Sequence, residues 1–288
     1  ALATAIMMGS VVLRRILGIV REMVLPGFTA TSQQTDAYVA AFLLPEIVNH
    51  LLAGGFMSVT FIPIFQKHLA AGDERRAWRA FSNLFCVGTV AMLVLIAGGE
   101  IGARPLLTLM GKDVSGPGVL PLATRLTRII IPAQLFFYWG SLLMAVQYAR
   151  KRFLFPALAP LVYNVGIIVG GAGLYGLIEV EGFAWGVPAG AFLGSFALQV
   201  YGASRCGMRL RAMFDLRDRD LHRYLLLTLP FVLGLTGSQF ANEILFRYFG
   251  SFTGEGGLAS LNYSWRVMWA LVGPFGQAFG VAMFPFLS

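Results

Sequence analysis

Arg14, Arg15 and Arg21 stand in a stretch, residues 2–24, that is otherwise apolar enough to cross a bilayer. Each charge at the centre of a membrane helix costs about 2.5–3.5 kcal/mol on insertion scales, so it needs a partner, a water-filled cavity or a ligand. Three cations in one span point to a cavity that receives an anion. On a helix, residues seven apart nearly overlay, which puts Arg14 and Arg21 on one face with Gly18 between them. A glycine there leaves room for a group to approach the backbone between two guanidiniums. The planar guanidinium fork suits phosphate oxygens better than a halide or water. Arg15 lies about 100° round the helix, above Glu22, which can neutralise it.

Further along, Asp36, Glu46 and His50 fall in a second apolar stretch. Asp36, His50 and Gly54 lie within about 40° of one another on an ideal helix. Asp36 is expected near the outer end, where it can pair with an arginine or cap a helix. Arg266 sits in the last apolar stretch with no acidic residue three or four positions away, and Asn262, Gly273, Gln277 and Gly280 share roughly its face. It needs a partner in space or an anionic ligand. Metal binding is not expected at His50. Nucleophile–base pairs, Gly-rich phosphate loops and paired carboxylates are missing from the chain. The reading is therefore of binding and transport: not an enzyme, with no cofactor and no metal.

The elements that must position these residues follow from composition. The 288 residues are 57% hydrophobic and only 12% charged, with mean hydropathy +0.71. A soluble domain carries about 25% charge. Apolar runs of around 20 residues, each able to span ~30 Å of hydrocarbon as a helix, recur near 2–24, 35–66, 78–100, 120–148, 154–178, 183–204, 222–249 and 257–287. The expected fold is all-α, a polytopic membrane bundle of about eight transmembrane helices. Continuous rather than alternating runs exclude an outer-membrane barrel. Pro45 and Pro63 predict a bent second helix.

Net charge is +8, and the basic residues cluster between the runs. They read as topology signals rather than as a nucleic-acid surface, so no nucleic-acid partner is expected. Lys67, Arg75, Arg76 and Arg79 fall in one loop, Arg150, Lys151 and Arg152 in a second, and Arg205 to Arg223 in a third. The alternate loops hold Arg104 and Lys112, then Glu179 and Glu181, then Glu255. The positive-inside rule then starts the first span in the cytoplasm. Residues 209–222 read as an interfacial linker with headgroup-anchoring arginines, between a six-helix lobe over 1–208 and the start of a second lobe over 223–288. Gly182, Gly186, Gly190 and Gly194 recur every four residues and predict close helix–helix packing. Cys86 and Cys206 read as core thiols. Both chain ends fall inside or directly after hydrophobic runs and look cut, so a further C-terminal part is an expected partner.

With these residues in view, LRRILGIVRE (13–22), TDAYVAAFLLPE (35–46), FIPIF (61–65), NYSWRVM (262–268) and FPFLS (284–288) resemble the MurJ, or MviN, family of lipid II flippases. That family belongs to the superfamily of multidrug exporters and polysaccharide flippases. The resemblance implies about fourteen spans in two six-span lobes plus two more, so this chain matches the N-terminal lobe and the start of the second. It places cavity arginines on Arg15, Arg21 and Arg266 and an acidic residue on Asp36, whereas helix geometry pairs Arg14 with Arg21. The family more often has arginine where His50 stands, and acidic residues where Gly54, Trp265 and Trp269 stand. The implied function is translocation of lipid II, an undecaprenyl-diphosphate-linked peptidoglycan precursor, across the bacterial inner membrane by alternating access. Lipid II and membrane lipids are the implied partners. Other readings are a flippase for another polyprenyl-linked glycan, a cation-coupled exporter, and a non-transporting membrane scaffold.

Overall fold

The computed structural model describes residues 2–29, 32–49, 56–110, 118–230, 232–234, 264 and 268. The chain divides into two compact units, Ala1–Val232 and Leu233–Ser288, and the first holds nearly all described residues. These are helical throughout apart from turns and the stretch 208–218.

The first long helix, α1 (Leu2–Phe28), spans about 40 Å at 1.5 Å per residue. The second apolar run breaks at Phe42, three residues before Pro45, where the proline predicts a bend. It forms α2 (Ser32–Ala41), α3 (Leu43–Val48) and α4 (Phe56–Ala70). The first interruption, at Phe42, has a local cause. Pro45 has no N–H to give the Ala41 carbonyl, and its ring crowds that oxygen. The Ala41 carbonyl instead accepts a hydrogen bond from the buried Thr127 hydroxyl, at 3.2 Å. Pro63, by contrast, lies inside α4 without ending it.

Next come α5 (Glu74–Met110), α6 (Val119–Ile130) and α7 (Ala133–Ala149). Then follow α8 (Leu154–Ile178), α9 (Glu181–Gly190), a π-helical segment Ala191–Ala197 and α10 (Leu198–Ser204). Pro132 breaks the fourth span between α6 and α7. Four stretches among the described residues are long and apolar enough to cross a membrane: Glu74–Thr108, Val119–Ala149, Leu154–Ile178 and Glu181–Ser204.

The glycines of α8 and α9 interlock. A Cβ on Gly166 would lie 2.5 Å from the Gly190 Cα, and one on Gly170 2.7 Å from the Gly186 Cα. Backbones this close gain dispersion contacts along their whole length, which is how helices associate in lipid. On the resulting platform α1 packs parallel to α8. Phe28 meets Tyr175 at 5.4 Å and Phe183 at 6.1 Å, and Tyr38 of α2 meets Phe183 at 6.2 Å. Elsewhere the buried Gln147 donates to Gln199 at 2.9 Å, and Gln199 donates to the Phe155 carbonyl at 2.9 Å, tying α7, α8 and α10 together.

The basic loops gather at one end. Arg150 pairs with Glu74, which also accepts from the Trp78 indole at 3.3 Å. The linker folds back along the first turns of α5. The Asn83 side chain donates to the Asp215 carbonyl at 2.8 Å and accepts from the Asp215 N–H at 2.7 Å. Asp220 pairs with His68 at 3.1 Å and Arg76 at 3.2 Å. Burial pushes the Asp220 carboxyl up, but hydrogen bonds from His68 and Arg76 outweigh it and hold the group below its ordinary range. These contacts explain why the first compact unit runs past the linker to Val232. Cys86 and Cys206 are free and half-buried rather than core; the Cys86 thiol donates to the linker carbonyl of Arg211, at 3.9 Å.

Candidate functional site

Arg21 is half-buried on α1, two turns before the aromatic cluster around Phe28. Its charge acts on the phenols of Tyr38 and Tyr163, and the carboxylate of Glu46 acts on Tyr163 as well. The electrostatics thus link side chains on four helices: Arg21 on α1, Tyr38 on α2, Tyr163 on α8 and Glu46 on α3. Tyr38 is buried and Tyr163 half-buried, and Tyr163 stacks edge-on against Phe137 at 5.1 Å. A guanidinium with two phenolic hydroxyls offers only donors toward an oxyanion, and Glu46 adds a base or counter-charge.

Arg14 lies two turns from Arg21 toward the basic-loop end. With Ser10 it borders a small cavity of about 130 Å³ against Tyr148, Phe153, Pro156, Ala157 and Pro160. Arg14 and Arg21 thus both run along the side of α1 that faces α8, spaced by two turns. A Cβ added at Gly18, between them, would meet nothing within 4 Å. That glycine opens space rather than serving a helix contact. Arg15, exposed like Arg14, carries no ion pair among the described residues.

Asp36 is exposed on α2, at the end opposite the basic loops. Its neighbours there are structural: the Thr29 and Thr35 hydroxyls are 2.7 Å apart, and Gln34 donates to Glu179 at 2.8 Å. Asp36 itself makes no ion pair among the described residues. His50 and Arg266 lie outside the described residues, as do Asn262, Gly273, Gln277 and Gly280 and the side chain of Glu22. Tyr38 and Tyr163 were not among the residues that spacing singled out. Tyr38 is the fourth residue of TDAY (35–38), the best signal available for it. Tyr163 has no such signal, because a tyrosine in an apolar span is unremarkable until a charge is placed beside it.

The fold defines a class first. One lipid II flippase MurJ structure, in an inward closed conformation, aligns with TM-score 0.69 at 20% identity, covering 94% of this chain and 55% of that one. A MATE transporter from Vibrio cholerae, in its bent form, aligns with TM-score 0.66 at 13% identity, covering 93% and 62%. The molecule is thus a multi-pass helical membrane protein with the fold of these transporters. Within that class, the model of the lipid II flippase MurJ family matches residues 28–288, and the chain belongs to that family. The lipid II flippase MurJ of Burkholderia cenocepacia is 28% identical over 289 residues, which cover 97% of this chain and 55% of that protein. The chain spans about half the length of the relatives it matches.

Proposed function

We propose that this chain forms one lobe of a flippase that moves lipid II, the undecaprenyl-diphosphate-linked peptidoglycan precursor, from the inner to the outer leaflet of the bacterial cytoplasmic membrane. The observation that carries this is Arg21, a half-buried cation in an apolar helix whose charge acts on the phenols of Tyr38 and Tyr163. Membership of the lipid II flippase MurJ family supports the choice of cargo.

The chemistry is capture without reaction. Arg21 receives one phosphate of the diphosphate bidentately, and the two phenols supply further donors. Arg14, two turns toward the basic-loop end, gives a second cationic step along the same side of α1. Arg15, Asp36 and Arg266 complete the cavity as the family resemblance assigns them, with His50 at a position where the family more often has arginine. The isoprenoid tail stays in the bilayer while the two lobes rock around the headgroup, as in other repeat-built transporters. The basic loops face the cytoplasm, so the N-terminus starts there. The remaining C-terminal part supplies the rest of the second lobe.

The test is a flipping assay with the full-length protein in vesicles, offering lipid II and, separately, another polyprenyl-diphosphate-linked glycan. Movement of lipid II alone is expected. Equal movement of both lipids moves the assignment to polyprenyl-linked glycans in general, and movement of neither removes it.

A further inference from the structure

At the end of the lobe opposite the basic loops, a cleft of about 560 Å³ opens between α6 and α9. It is separate from the Arg21 site, shares no residue with it, and falls within the ~300–1,000 Å³ range of small-ligand pockets. Pro121, Arg125 and Glu181 line one end of it, Arg128 and Trp185 follow about one turn on, and Ile129, Pro132 and Pro188 line the other end. Seven residues separate Arg125 from Pro132 and Glu181 from Pro188, so the cleft runs about 10 Å from its charged part to its apolar end. The break of the fourth span at Pro132 opens that end against α9.

The charges are poised rather than spent. Arg125 pairs with Glu181 through its Nε, at 3.0 Å, while its side chain stays 70% exposed. Arg128 donates its Nε to the Glu100 carbonyl at 3.2 Å. Each guanidinium is thereby oriented by one N–H and retains four others. Two carboxylates face these arginines, Glu181 at Arg125 and Glu100 through its charge on Arg128, so a phosphodiester binds here by competing with them for the free N–H groups. Trp185, half exposed beside them, is the side chain that settles at a bilayer's headgroup level.

We propose that this cleft binds the headgroup of an anionic phospholipid, with the phosphodiester between Arg125 and Arg128 and acyl chain against Ile129, Pro132 and Pro188. Glu181 is the internal competitor for Arg125 that the lipid phosphate displaces. Basic pockets between membrane helices hold acidic headgroups by the same means.

Native mass spectrometry of the full-length protein, with phosphatidylglycerol, phosphatidylcholine or inorganic phosphate added, tests this. The wild type is expected to retain one phosphatidylglycerol at least fivefold better than phosphatidylcholine. Arg125→Gln with Arg128→Gln should abolish that preference, and Arg125→Lys with Arg128→Lys should keep part of it. Glu181→Gln breaks the same ion pair as the first variant yet should raise phosphatidylglycerol retention, which separates lipid binding from simple loss of packing. Unchanged preference in the double Gln variant, or reduced retention in Glu181→Gln, overturns the proposal. Displacement of phosphatidylglycerol by an equal concentration of inorganic phosphate also overturns it, by making the site one for a free anion.

Discussion

A cation inside an apolar helix is the feature that sequence exposes best, because charge in hydrocarbon has so few innocent explanations. Arg21 illustrates it: its type and place identify it, and only its surroundings, Tyr38, Tyr163 and Glu46, come from the fold. Arg14 and Arg15 show where spacing and resemblance part. Helix geometry sets Arg14 with Arg21, and Arg14 borders the cavity against α8, while the family pattern selects Arg15; both Arg14 and Arg15 are exposed. The expected outcome of Arg21→Ala or Arg266→Ala in the full-length protein is loss of flipping with normal membrane insertion. Lysine at either site should restore only part of the activity, because a point charge cannot make the bidentate contact. Full complementation of a flippase-depleted strain by either alanine variant would remove these residues from the substrate path.

Helix lengths and endpoints were legible wherever they depend on summed apolarity. The fifth span, read as 154–178, is α8 to the residue. The second span breaks at Phe42, where Pro45 predicts a bend, but the partner that satisfies the freed Ala41 carbonyl, Thr127 of another helix, comes from tertiary structure. A window of hydropathy does not contain that partner. The third span outran its reading of 78–100, since α5 begins at Glu74 and ends at Met110. Its extra N-terminal turn, Glu74 to Ala77, is polar and includes Arg76, which holds Asp220 beside the linker. The four-residue glycine repeat was legible as a contact surface, and its partner glycines, Gly166 and Gly170, were not. A test at this scale follows from the space each glycine leaves. A Cβ on Gly186 would lie 2.8 Å from the Ile167 Cα, whereas one on Gly176 would meet nothing within 4 Å. Gly186→Val should cost about 1–3 kcal/mol by forcing α8 and α9 apart, seen as a lowered Tm in detergent, and Gly176→Ala should leave Tm unchanged. Equal Tm values for the two variants would mean that the helices are held together elsewhere.

For the molecule as a whole, charge and fold meet in its two ends. Arg150 reaches Glu74, Arg76 and His68 reach Asp220, and Asn83 holds Asp215, so three basic loops far apart in sequence form one surface. The other end collects Gln34, Glu179, Arg125 and Glu181. Each helix that crosses the lobe must keep its own loops on the correct side, and a single reversed span would move one of these contacts across the bilayer. Positive loops stay in the cytoplasm because Lys and Arg near a span resist translocation. The basic end should therefore be cytoplasmic and the Glu181 end external. In a background with Cys86 and Cys206 replaced, a membrane-impermeant thiol reagent on intact cells should label Glu181→Cys and Lys112→Cys. It should leave Lys151→Cys and Arg217→Cys untouched until the membrane is opened. Labelling of Lys151→Cys in intact cells would invert the lobe, and with it the direction in which the Arg14–Arg21 side of α1 first meets its cargo.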